Sequence, residues 1–194
     1  MNFLAHAYLS GDDKKILVGN IIGDFIKGRQ ALGQLEAHVA RGVELHRAID
    51  EYTDNHEVVH RSKDRLRPKY RHYAGVIVDV FYDHFLAANW DQFHRQPLGV
   101  FAEETYKTIQ DFSDILPERF RQMLPYMIRG NWLVSYAGIR GIHRTLSGMA
   151  SRTPYESKME EASIDLKNHY REFKAEFVLF FADLKRFSQQ WLGA

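Results

Sequence analysis

An all-α bundle is the fold class this sequence predicts, and three observations predict it. Apolar residues recur at helical spacing along most of the 194 residues. Alternating strand patterns closed by Asn-Gly or Asp-Gly turns are absent. The five prolines, at 68, 97, 117, 125 and 154, punctuate the chain and do not cluster in a linker. The length suits one domain, 1–194, and allows about 70% of the unfolded chain's surface to be buried.

The elements follow in order. A short apolar segment, NFLAHAYL, precedes a helix expected from Lys14 to Lys27. A second helix is expected from Leu35 to Asp54, with Leu35, Val39, Val43 and Ile49 near one face. A basic helix runs from Glu57 to Leu66, and a long apolar one from Tyr70 to Phe93. Shorter helices are expected over Val100–Phe112, Glu118–Arg129 and Asn131–Ala150, the last interrupted by Gly138 and Gly141. The final helix, Tyr155 to Trp191, carries the clearest seam: Met159, Ser163, Leu166, Tyr170, Phe173, Phe177, Phe180, Leu184, Phe187 and Trp191 step by fours and threes. Such a seam packs either lengthwise within its own bundle or against a second copy.

Lys plus Arg total 26 and Asp plus Glu 25, a net charge of +1. No global excess points to nucleic acid. Cysteine is absent, which excludes disulfides, zinc–thiolate sites and thiol nucleophiles. The segment MNFLAHAYLSGDDKK lacks a basic leader, and no run reaches the ~18 apolar residues of a membrane span. The expected compartment is the cytoplasm. No Walker loop and no G-x-S-x-G elbow occur, so neither P-loop nor serine-hydrolase chemistry is supported.

Ten histidines are present, and several stand with acids inside apolar helical sequence. In GVIVDVFYDHFLA, Asp79 and Asp83 share a face and His84 follows. Two carboxylates among Val, Phe and Leu need a compensating cation, either an Arg or a divalent metal, unless the face is solvent-exposed. In ELHRAIDEYTDN, His46 and Asp50 lie one turn apart and can chelate one ion. Asp24 in GNIIGDFIKG and His6 in NFLAHAYL repeat the pattern. Helical bundles commonly converge such groups on a metal. Imidazole and carboxylate without thiolate suit Mn²⁺, Fe²⁺ or Mg²⁺, and phosphoester hydrolysis is the matching chemistry.

The segments MNFLAHAYLS, GNIIGDFIKG, GVELHRAIDEYTDNH, VDVFYDHFLAANW and RGNWLVSYAGIRGIHRTLSGMASR together resemble the acyl carrier protein phosphodiesterases, in order from Met1 to Arg152. That family looks distantly similar to HD-domain phosphohydrolases, although the His-Asp doublet is absent here and the order is Asp83-His84. The resemblance implies a metal-dependent phosphodiesterase, with Mn²⁺ the expected ion. Its reaction would convert holo-acyl carrier protein to apo-acyl carrier protein and 4'-phosphopantetheine. The expected ligands are His6, Asp24, His46, Asp50, Asp79 and Asp83, and the expected catalytic groups are Asp24, Asp79 and His84. Two other readings stand: a non-catalytic carrier-protein-binding module, and a metal-dependent phosphohydrolase of a small phosphoester or nucleotide.

RSKDRLRPKYRHY carries Arg61, Lys63, Arg65, Arg67, Lys69 and Arg71 against Asp64. It is either a solvated face or a docking surface, and the resemblance, implying a strongly acidic protein partner, favours docking. Lys27, Arg47, Arg65, Arg67 and Arg152 are the expected substrate-binding residues, since guanidinium forks match phosphate and carboxylate oxygens. Aromatic interleaving is limited to Tyr70 and Tyr73, which does not favour nucleic acid.

Overall fold

The chain enters its first helix, α1 (Phe3–Tyr8), through Asn2, whose side chain accepts the Phe3 amide. Asp13 then caps α2 (Lys14–Ile22), its Oδ1 accepting from Lys15 and Ile16. In this computed structural model, which describes residues 1–193, all regular structure among the described residues is helical. The remaining elements are α3 (Gly28–Gly33), α4 (Ala37–Asn55), α5 (Glu57–Tyr70), α6 (Ala74–Ala88), α7 (Leu98–Asp111) and α8 (Glu118–Arg129). They are followed by α9 (Trp132–Ser135), α10 (Ile139–Ala150), α11 (Ala162–Asn168) and α12 (Tyr170–Gly193).

Helix boundaries depart from the periodic pattern where local chemistry intervenes. The helix expected to reach Lys27 stops at Ile22 and continues as a tight 3₁₀ turn, Gly23–Phe25. The basic helix runs past Leu66 to Tyr70 with Pro68 inside it. Tyr70 is buried and its hydroxyl binds Asp165, which ties down the last turn that proline would otherwise weaken. The expected Tyr70–Phe93 helix is trimmed at both ends. Arg71 takes φ 51°, reversing the chain before α6. Asn89 then folds its amide back onto the Phe85 carbonyl and ends the helix at Ala88.

The expected C-terminal helix is broken as well. Residues 153–158 are non-helical, and His169 separates α11 from α12. Its seam nonetheless survives: Met159, Leu166, Phe173, Phe177, Phe180 and Leu184 are all buried against the rest of the chain. Phe173 and Phe177 meet Phe81 and Tyr82 of α6 edge to face at 5.1 and 5.7 Å. The lengthwise packing is therefore internal, and the seam is not free for a coiled-coil dimer.

One contact positions the site more than any other. α2 and α4 cross at Gly19 and Gly42, where a Cβ on Gly42 would stand 2.2 Å from the Ile16 carbonyl oxygen. A Cβ on Gly19 would stand 2.0 Å from that of Val39. Only glycine permits this approach, and it brings Asn20 of α2 beside His46 of α4. No helix among the described residues is long and apolar enough to cross a membrane.

Candidate metal centre

Asn20, fully buried in the apolar run VGNIIG, organises the centre. Its Nδ2 donates to the His6 carbonyl (2.9 Å) and to Ser10 Oγ (3.0 Å), which fixes Oδ1 as the acceptor facing His6 Nδ1 at 2.8 Å. The backbone carbonyl of the same residue accepts from His46 Nδ1 at 2.8 Å. Both imidazoles thus carry their proton on Nδ1 when neutral, and both present a bare Nε2.

The two rings stack at 4.0 Å with a 17° tilt. Both Nε2 atoms are buried and neither has a hydrogen bond. Asp50 nevertheless stands close, with Oδ1 3.2 Å from His6 Nε2 and Oδ2 3.2 Å from His46 Nε2. These contacts are near in distance but off the ring N–H direction, so lone pairs and carboxylate oxygens converge on shared space. Asp24 Oδ1 adds a fourth donor, 3.3 Å from His46 Nε2, on a largely exposed side chain. His6, His46 and Asp50 form a group able to hold one metal ion. Gly23 makes room for it, because a Cβ there would fall 2.3 Å from His46 Cγ.

Protons and an ammonium balance the acids. The Met1 α-ammonium lies 3.2 Å from Asp50 and 3.1 Å from Asp79. Burial opposes its charge, yet Asp79 and Asp50 hold its pKa up at about 11. Burial also disfavours an ionised Asp50, but the ammonium and both histidines keep its carboxyl well below the usual range. Burial and the neighbouring His46 push His6 down to about 4. His46 goes the other way, to about 9, because Asp24 and Asp50 outweigh its burial. The stack therefore carries one positive charge at neutral pH.

The expected residues separate into those this cluster gathers and those it does not. His6, expected like the rest on sequence alone, stands at its centre with His46 and Asp50; Asp24 is at the rim, and Asp79 sits beside it on the ammonium. Asp83 stands outside the His6, His46 and Asp50 group. It is fully buried and accepts the amides of Leu4 (2.8 Å), Ala5 (3.2 Å) and Asn2 (3.4 Å), so it pins the start of α1. Burial raises its carboxyl to about 7 against the pull of those amides. His84 also lies outside the cluster, since adjacent helical residues point about 100° apart. Its Nδ1 donates to the Tyr136 carbonyl (2.8 Å) and its Nε2 meets Tyr170 Oη (3.1 Å), so both nitrogens are engaged away from the cluster.

The basic residues divide too. Arg65 is not available to substrate: it forms a two-pronged pair with Glu176 at 2.8 and 2.9 Å and covers Phe173. Glu176 also accepts from Ser62, tying α5 to α12. Lys69 pairs with Glu161 and Asp165. Arg67 pairs with Asp64 and stays exposed. Arg47 reaches the Ile26 carbonyl at 3.0 Å, and Lys27 is exposed nearby in sequence. Arg152 lies elsewhere, on a cavity of about 190 Å³ with Phe3, Trp132, Tyr136 and Arg144. Asn20 and the Met1 ammonium escaped the sequence reading. Asn20 carried the same signal that singled out Asp24, a polar residue inside Val-Gly-Asn-Ile-Ile.

Comparison with known proteins places this geometry. The family described as acyl carrier protein phosphodiesterase matches residues 1–184, from α1 into α12. A protein of that name from Photorhabdus laumondii is 35% identical over 182 residues, covering 93% of this chain and 91% of its own. One from Klebsiella pneumoniae is 33% identical over 190 residues, covering 97% and 98%. One from Escherichia coli is 34% identical over 185 residues, covering 93% and 94%. No solved structure matches. With the match running through nearly every helix and the relatives aligned almost end to end, the chain belongs to the acyl carrier protein phosphodiesterase family.

Proposed function

We propose that this chain is a divalent-metal-dependent phosphodiesterase acting on holo-acyl carrier protein. It hydrolyses the diester that joins 4'-phosphopantetheine to a serine, releasing apo-carrier protein and 4'-phosphopantetheine. One observation carries the reading: two buried imidazoles, each held by its Nδ1, aim unpartnered Nε2 atoms at one carboxylate. A donor set of imidazole and carboxylate, with no thiolate in the chain, fits Mn²⁺, with Fe²⁺ and Mg²⁺ as alternatives. His6, His46 and Asp50 would hold the ion, with Asp24 and Asp79 flanking it. Such an ion, when bound, polarises a phosphoryl oxygen and lowers the pKa of its water.

The residues around it divide the remaining work. Asp24 is ionised, its carboxyl lowered by the adjacent His46, so it serves as ligand or charge. Asp79 has its carboxyl raised by burial, against the pull of the Met1 ammonium, which makes it the better proton carrier of the two. Arg47, fixed on the Ile26 carbonyl by one nitrogen, keeps other N–H groups free for a phosphate oxygen. These groups come from α1, the turn after α2, α4 and α6, so 1–194 works as one domain in this reading. The substrate is an acidic protein; nucleic acid has no part in it.

Mass spectrometry of purified holo-acyl carrier protein, before and after incubation with this protein and Mn²⁺, tests the proposal. The expected result is loss of one 4'-phosphopantetheine group, abolished by chelator. An unchanged mass with metal-loaded protein would overturn it.

A further inference from the structure

A cleft of about 340 Å³ lies between the end of α4, α5 and the start of α6, and it shares Asp79, which meets the Met1 ammonium, with the edge of the candidate metal centre. Its polar lining is Asp79 with Asp54, Lys63, Arg67, Arg71 and His72, and the start of α6 from Ala74 to Val76 completes it. Asp54 lies one helical turn beyond Asp50, so the cleft begins about 5 Å along α4 from the candidate ligand. Lys63 is buried and pairs with Asp54 at 2.6 Å, and Arg67 is held by Asp64. Arg71 makes no ion pair among the described residues, and its side chain is exposed to the cleft mouth.

The backbone at Arg71 adds a second, independent observation. It caps α5 at φ 51° and ψ −123°, a conformation that glycine adopts freely and that costs an L side chain strain. Glycine is the ordinary residue just past a helix end. An arginine kept there at that cost points to a use for its charge.

Asp54 balances Lys63, Asp64 balances Arg67 and the Met1 ammonium balances Asp79, which leaves the Arg71 guanidinium as the uncompensated charge of the cleft among the described residues. A monoanion matches that balance; a dianionic phosphate would face Asp54 and Asp79 with too little compensation. We propose that the cleft binds a carboxylate side chain of the protein substrate, with Arg71 the specificity-determining contact, so that the acidic partner is gripped beside its scissile diester. The inference rests on the carrier-protein reading and adds the site that recognises the protein half.

Arg71→Gly separates recognition from fold, because it removes the charge and relieves the backbone. Steady-state turnover of holo-acyl carrier protein with Mn²⁺ is expected to show KM raised about tenfold with kcat within about twofold. The thermal midpoint should equal or exceed wild type, and Arg71→Lys should recover most of the affinity. Unchanged KM in Arg71→Gly would overturn the proposal. So would a fallen midpoint with no recovery in Arg71→Lys, which marks a structural role. If wild type does not cleave holo-carrier protein, the functional reading fails, and calorimetric binding of apo-carrier protein then decides the cleft. Tighter binding by wild type than by Arg71→Gly supports it, and equal or absent binding overturns it. Inorganic phosphate bound by wild type and lost in Arg71→Gly, with carrier-protein affinity unmoved, would assign the cleft to free phosphate and overturn the proposal.

Discussion

At the residue scale, the hydrogen bond on the far nitrogen of each histidine decides what the near nitrogen can do. Asn20 supplies both partners, so its role is that of an outer-shell residue that orients ligands. His6→Ala and His46→Ala should each abolish Mn²⁺ binding in calorimetric titration, while Asn20→Ala should weaken it by about 10–100-fold. Wild-type affinity in all three would remove the cluster from consideration. Asp83 is the contrast. Asp83→Ala should leave Mn²⁺ affinity unchanged and lower stability in denaturant titration, because it strips the acceptor from three amides at α1. The expected loss is about 1–3 kcal/mol, the cost of leaving buried amides without an acceptor. His84 predicts a pH effect. Burial depresses its folded pKa below the unfolded value near 6.5. The unfolded chain therefore binds the proton first, and stability present above pH 6.5 is lost as pH falls below it. Unfolding free energies of His84→Gln should show a shallower decline from about pH 7 to pH 5 than wild type. An identical slope would mean that other groups set the acid limb.

At the element scale, the α2–α4 crossing couples packing to chemistry. A Cβ at Gly42 would sit 2.2 Å from a backbone oxygen, and backbone cannot step aside as a side chain can. Gly42→Ala should destabilise by about 1–3 kcal/mol or more and weaken Mn²⁺ binding in the folded protein, since the same crossing sets Asn20 against His46. Loss of stability with intact metal affinity would separate the two. Periodicity made most helices legible, and Glu118–Arg129 is where the pattern placed it. It could not show breaks made by single residues: the positive φ of Arg71, the side-chain cap of Asn89, the change of direction at His169. Such breaks depend on tertiary anchors, and a seam that reads as one helix continues across them because its buried residues keep facing one side.

At the scale of the whole molecule, the acids and histidines in apolar sequence were legible as a candidate site, because isolated buried charge is costly wherever it falls. Which of them share a pocket was not legible. Asp79 and Asp83 share a helical face, yet one meets the Met1 ammonium beside the cluster and the other accepts the amides that open α1. Likewise the run of basic residues read as one docking face, but Lys63, Arg65 and Lys69 tie α5 to its neighbours and Arg61 and Arg67 pair within α5, leaving Arg71 at the cleft. A metal that binds only the folded bundle must also stabilise it, and this gives a test independent of any substrate. At a free Mn²⁺ concentration a hundredfold above Kd, the gain is about 2.7 kcal/mol. For a chain of this length that raises the thermal midpoint by about 5–10 °C. A chelator should reverse the rise, and His6→Ala should be insensitive to both, because the cation's place between the two Nε2 atoms and Asp50 is then lost. A flat midpoint across a titration into the millimolar range would leave His46, already protonated between Asp24 and Asp50, as the only charge that space needs.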